Sequence, residues 1–129
     1  MMKVLETPMY EGLPGLILKH DELGHLCGYV GVPISHLLFG LDYSAQIPGS
    51  EETIEGTFSV HGGITFSGVL DEGMVGYWYF GFDCAHAGDL VPGTGSLIRH
   101  NPSGVYRDEL YVMAEIENLA AQLAVYKSL

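Results

Sequence analysis

The sequence predicts an α+β fold, an antiparallel sheet with a C-terminal amphipathic helix packed on one face, in a single domain spanning residues 1–129. Three observations carry this. The 18 glycines cut the chain into short pieces, the punctuation of strands and turns rather than of a helical bundle. Thr57 to Ser67 alternates apolar and polar residues, the period of a half-buried strand. From Asp108 to Tyr126 the apolar residues Val112, Met113, Ile116, Leu119, Ala120 and Leu123 recur at helical spacings.

In chain order, the apolar runs Leu16 to Leu18 and Leu26 to Val32 flank His20, Asp21, Glu22 and Gly24, which predicts a hairpin. Pro33 to Gly40 suits one helical turn, opened by proline and closed by glycine. Asp42, Tyr43, Ser44, Pro48 and Gly49 mark Leu41 to Ser50 as a surface loop. In the strand expected over Thr57 to Ser67, Phe58, Val60, Ile64 and Phe66 fall on one side, and Thr57, Ser59, His61, Thr65 and Ser67 on the other. Gly62 and Gly63 interrupt it as a bulge or a place of close approach. A further strand runs from Val75 toward Cys84, with Trp78, Phe80, Phe82 and Cys84 toward the core and Tyr77, Tyr79 and Asp83 on the opposite face. Leu90 to Gly104, rich in proline and glycine, reads as a loop carrying Arg99 and His100. Asp108 and Glu109 suit the positive end of the helix that follows.

Composition limits the partners. A formal charge of -11, from 16 acidic and 5 basic side chains, repels polyanions and argues against double-stranded nucleic acid and anionic membranes. A small anionic ligand stays possible, because Arg99, Arg107, backbone amides and a helix N-terminus act locally. The first residues lack a secretory pattern and no apolar run approaches the roughly 20 residues of a membrane span, so a cytoplasmic protein is expected. With only Cys27 and Cys84 a disulfide scaffold is not expected, and buried, inert thiols are the plain reading. A mean hydropathy of +0.21 with 1 Trp, 8 Tyr and 5 Phe predicts a homo-oligomer that hides apolar surface between copies.

Chemistry concentrates between Gly76 and Asp89, where an aromatic strand runs into Asp83, Cys84, His86 and Asp89. Side by side, the strands would present Tyr29, His61, Thr65, Tyr77, Tyr79 and Asp83 on one polar face, able to stack on and hydrogen-bond a heterocycle. The competing reading is an ordinary solvated sheet face. His61, Gly62, Gly63 and Thr65 can offer backbone amides and an imidazole to an anion, or form only a bulge with a histidine beside it. His61, Asp83 and His86 are expected to share one concavity, since their motifs end neighbouring strands. Cys84 and His86, with His61 and Cys27, also suggest a zinc set, but the spacing matches no standard motif, so no cofactor or metal is expected. Cys84 with His86 makes a poor nucleophile and base pair, because the two residues need a bend to meet.

The runs Cys27 to Pro33, His61 to Phe66, Phe80 to Asp89 and Tyr106 to Asp108 resemble a set of small accessory proteins encoded by tailed phages, and the similarity spans most of the chain. The resemblance implies an accessory protein in the host cytosol, with countering host defence as a class role, including capture of nucleotide-derived immune signals without turnover. Motif matching carries over His61, Thr65, Asp83, Cys84, His86 and Asp89 as candidate site residues. The leading expectation is therefore a binding protein rather than an enzyme, a sponge for a small anionic or heterocyclic ligand. Its site would draw on Tyr29, His61, Thr65, Tyr77, Tyr79, Asp83, His86, Asp89, Arg99 and Arg107. One alternative is a small metal-dependent hydrolase of a nucleotide or phosphorylated metabolite, using His61, Asp83, His86 and Asp89. Another is an acidic protein inhibitor of a host enzyme.

Overall fold

The computed structural model describes residues 2–85, 89, 91–92 and 104–126. Among these, strands β1 (Met2–Glu6), β2 (Met9–Tyr10), β3 (Leu13–His20), β4 (Leu26–Pro33), β5 (Phe66–Gly68) and β6 (Tyr77–Asp83) form one sheet, joined by helices α1 (Ile54–Thr57) and α2 (Glu109–Ala124). The strands run β1-β3-β4-β6-β5, with β2 paired to the start of β3, and every named pairing is antiparallel. The fold is α+β, as predicted. Two tight turns set the register of its first half. Glu11 and Gly12 both take left-handed backbone and close the β2–β3 turn, while left-handed Gly24 closes the predicted β3–β4 hairpin by donating its N–H to the His20 carbonyl.

Alternation along the central strands divides the side chains between two cores. Ile17, Val30, Val32, Phe80, Phe82 and Cys84 pack with Val112, Ile116, Leu119, Ala120 and Leu123 of α2. On the other face Leu16, Leu18, Cys27, Tyr29 and Tyr79 form a second cluster, flanked by Met2, Phe66, Leu70 and Tyr77. This corrects the expectation of an open polar face, because Tyr29 is only 8% exposed and Tyr79 1%. The cause lies in β3, which gives that face two leucines, and in cross-strand pairs that set a ring over a glycine. Tyr29 faces Gly81 and Tyr79 faces Gly31, and Gly28 faces Phe82 on the helix side. A methyl group on Gly81 would lie 2.2 Å from the Tyr29 ring, so each glycine makes the room its partner's ring fills.

A second correction concerns Thr57 to Ser67. Thr57 ends α1, and the chain reverses at Val60 to Gly63, where Gly62 and Gly63 are left-handed and Gly63 N–H donates to the Val60 carbonyl. The ladder resumes only at β5, after Thr65 N–H has bonded the Gly81 carbonyl. Phe58, Val60 and Ile64 still join the helix-side core. Alternation was present because the segment is half-buried, but its neighbour is a helix and not a strand. Gln122 of α2 both accepts from Ser59 N–H and donates to its carbonyl, and Asn118 donates to the same carbonyl.

The predicted turn of helix at Pro33 to Gly40 is instead a chain of separate turns: His36 N–H bonds the Pro33 carbonyl, and Phe39 N–H that of His36. The C-terminal helix begins within one residue of its predicted start, with Asp108 as N-cap accepting from Tyr111 N–H. Most of the Leu90 to Gly104 loop lies outside the described residues. Among the described residues, no helix is long and apolar enough to cross a membrane.

Candidate functional site

The left-handed turn at Gly62 and Gly63 brings His61 against the first two turns of α2, where Tyr111 and Glu115 stand four residues apart on one helix face. His61 N–H donates to Glu115 Oε1 at 2.7 Å, and His61 Nδ1 lies 2.7 Å from the Tyr111 hydroxyl. The other ring nitrogen, Nε2, meets Asp89 Oδ2 at 2.8 Å. Asp89 Oδ1 accepts from Arg107 Nε at 3.0 Å, and the Arg107 guanidinium lies 4.8 Å from the centre of the Tyr111 ring. Three of the predicted residues, His61, Asp89 and Arg107, are thus brought into one polar cluster.

The hydrogen-bond pattern sets the proton positions. Facing a carboxylate, Nε2 carries the hydrogen, so in the neutral ring Nδ1 accepts from the Tyr111 hydroxyl. Asp89, His61 and Tyr111 form a continuous chain along which a proton can pass. The Asp89 side chain is 1% exposed and lies between the Arg107 guanidinium and His61, so its charge is matched inside the cluster. The hydrogen bond to Asp89 raises the Arg107 pKa, and burial raises that of Tyr111, which keeps the phenol protonated. With its charge held by Asp89, Arg107 has little attraction left for an external anion.

Other predicted residues lie elsewhere. Asp83 shares the face of Tyr77 and Tyr79, sits opposite Cys27 in the register, and accepts from Ala85 N–H at 3.1 Å. The expected concavity shared by His61 and Asp83 does not form, because consecutive residues of β6 point to opposite faces and His61 packs on the helix side. Tyr29 and Tyr79 are buried, Tyr77 is half-buried and Thr65 is exposed. His86 and Arg99 lie outside the described residues. Burial raises the Cys27 pKa to about 11 and that of Cys84 to about 12, so both thiols stay protonated in their separate cores. Among the described residues, no three histidine, cysteine or acidic side chains are grouped as metal ligands.

Comparison adds nothing to this chemistry. No family model matches the chain, and neither does any curated protein or solved structure. The geometry alone therefore defines the candidate sites.

A second candidate lies on the opposite side of the sheet. A cleft of about 330 Å³ opens between β2, the start of β3 and the turn at residues 70–74, lined by Met9, Pro14, Leu16, Met74, Tyr79 and Glu72 among others. Gly73 lets that turn lie on the Tyr79 ring, since a side chain there would begin 2.5 Å from it. Met74 N–H then donates to the Tyr79 hydroxyl at 2.8 Å. Sequence reading missed Tyr111 and Glu115. The usable signal was the polar stripe Tyr111, Glu115, Asn118 and Gln122, spaced four, three and four along the helix beside its apolar face.

Proposed function

We propose that the protein binds a small molecule and holds it without converting it. The observation that carries this reading is the cleft above Tyr79, whose size falls at the lower end of ligand pockets, roughly 300 to 1,000 Å³. Its walls are mainly apolar, and Thr7, Tyr79 and Glu72 supply its polar edge. Such a lining grips a ring and orients it with few polar contacts, and its described groups include no thiol or imidazole to attack it. The resemblance to phage accessory proteins extends the proposal to a role: a sponge in the host cytosol that removes a nucleotide-derived immune signal, with the heterocycle as the part the cleft receives. A homo-oligomer belongs to the same proposal, supported by Val69, Met74 and Val75, all exposed within one short stretch beside the cleft. A monomer by light scattering at micromolar concentration would refute that part.

One observation favours a second reading. The chain Asp89, His61 and Tyr111 is suited to proton transfer, as a hydrolase requires. Stoichiometry separates the two. After incubation with a nucleotide extract, filtration and heating, a sponge returns one intact compound per site. A hydrolase consumes a large molar excess and loses that power on His61→Ala. Sustained turnover would overturn the binding reading.

A further inference from the structure

We infer that the cleft above Tyr79 selects ligands by charge, accepting a neutral or cationic ring and rejecting its anionic counterpart. The inference rests on the reading of that cleft as a ligand site. Glu72 is the charged residue of the lining, and none of the basic side chains among the described residues takes part. Its carboxylate is not on a free loop. Gly73 N–H closes the turn onto the Leu70 carbonyl, the backbone at Gly73 lies against the Tyr79 ring, and Met74 N–H is bonded to the buried Tyr79 hydroxyl. The turn that carries Glu72 is therefore anchored to the floor of the cleft at two consecutive residues.

The remaining walls fix what the rest of the ligand must be. Leu16, Pro14 and the thioethers of Met9 and Met74 offer no partner for a buried anion, Thr7 adds one neutral hydroxyl and no positive charge, and methionine adapts to flat rings of different outline. Burying an anionic group there would cost its hydration and add repulsion from Glu72. A ring bearing an ammonium or a strong N–H donor loses less, because its polar end can stay beside that carboxylate at the mouth. The overall charge of -11 acts in the same direction at low ionic strength. A phosphorylated ligand would then use the cleft for its base alone, with the phosphates left in solvent.

Three naphthalenes of matched shape test this: 2-naphthylmethylammonium, 2-naphthylmethanol and 2-naphthoate, titrated by fluorescence and calorimetry. At low salt the ammonium should bind about two- to fivefold more tightly than the alcohol, the range of a solvent-exposed ion pair, and the carboxylate most weakly. High salt should close the gap. Glu72→Gln should remove the ammonium's advantage over the alcohol. If the carboxylate binds as well as the ammonium, or if Glu72→Gln changes nothing, the charge selection is overturned while the cleft remains a binding site. If none of the three binds at millimolar concentration, the cleft is not a ligand site and both readings fall.

Discussion

Asp89 links His61 and Arg107 within the polar cluster, and its place there separates anchoring from ligand capture. Its side chain is 1% exposed and accepts from His61 and Arg107 at once, so it ties residue 89 to the 60–63 turn and to the residue just before the N-cap of α2. Asp89→Asn keeps the shape but removes the charge and one acceptor. It should cost about 2 to 3 kcal/mol in urea unfolding, while Thr65→Ala, at an exposed position, should change stability by less than about 0.5 kcal/mol. If the cleft is the ligand site, the folded Asp89→Asn variant binds with unchanged affinity; lost binding without lost stability would move the site to the cluster. His36 gives a residue-scale prediction in pH. It is buried, its Nε2 donates to the Leu123 carbonyl at 2.8 Å, its Nδ1 accepts from Leu38 N–H at 3.0 Å, and burial lowers its pKa. The unfolded chain takes up this proton near pH 6.5, about the ordinary histidine value, and the folded chain only at lower pH. Between the two, unfolding binds a proton, so stability is full above that window and falls as the solution is acidified through it. Urea midpoints from pH 7.5 to 5 should show this loss, and His36→Gln, although less stable at pH 7.5, should show a shallower one.

At the scale of elements, the central strands depend on glycine as much as on aromatic residues. Gly81 leaves space for the Tyr29 ring, and Gly28 for Phe82 with Val112 behind it. Gly81→Ala would drive a methyl group into the ring and the Gly28 carbonyl, and should destabilise by about 1 to 3 kcal/mol, the usual cost of overpacking. A neutral result in thermal or urea unfolding would mean that β4 and β6 adjust freely. This pairing also explains what was legible in the sequence. Period two gave the faces of β6 correctly, because Phe80 and Phe82 meet α2 while Tyr77 and Tyr79 meet the other cluster. It misjudged how covered the second face is, since a tyrosine over a glycine reads as polar surface until the strand beside it is known. The same period made a strand of Thr57 to Ser67, where the edge is satisfied by Asn118 and Gln122 across about 60 residues of chain. His61, Asp89 and Arg107 were legible as chemistry. Their partner Tyr111 was not, because helical periodicity marks the buried apolar face and assigns no partner to the polar stripe beside it, and the cleft depends on a turn pinned to Tyr79 that no local pattern reports.

For the whole molecule, charge is the dominant global feature, and it acts against the compact state. Acidic side chains exceed basic ones by enough to leave a formal charge of -11 on 129 residues. The described ion pair of Arg107 with Asp89 occupies one of only 5 basic side chains. Lys3 and Lys19 face each other across β1 and β3, so two more of them repel rather than pair. Folding therefore concentrates like charge that the unfolded chain spreads out, and screening should relieve it over a Debye length of about 10 Å at 0.1 M salt. Raising sodium chloride from low concentration to about 0.5 M should raise the unfolding temperature, with most of the gain in the first part of the range, where the screening length falls fastest. Stabilisation by burial of apolar surface responds differently, through excluded salts such as sulfate, and keeps rising with concentration. A chloride titration that saturates would identify self-repulsion as the cause. If stability is instead flat or falls with chloride, the carboxylates are paired locally, and the net charge then bears on partners and solubility rather than on the fold.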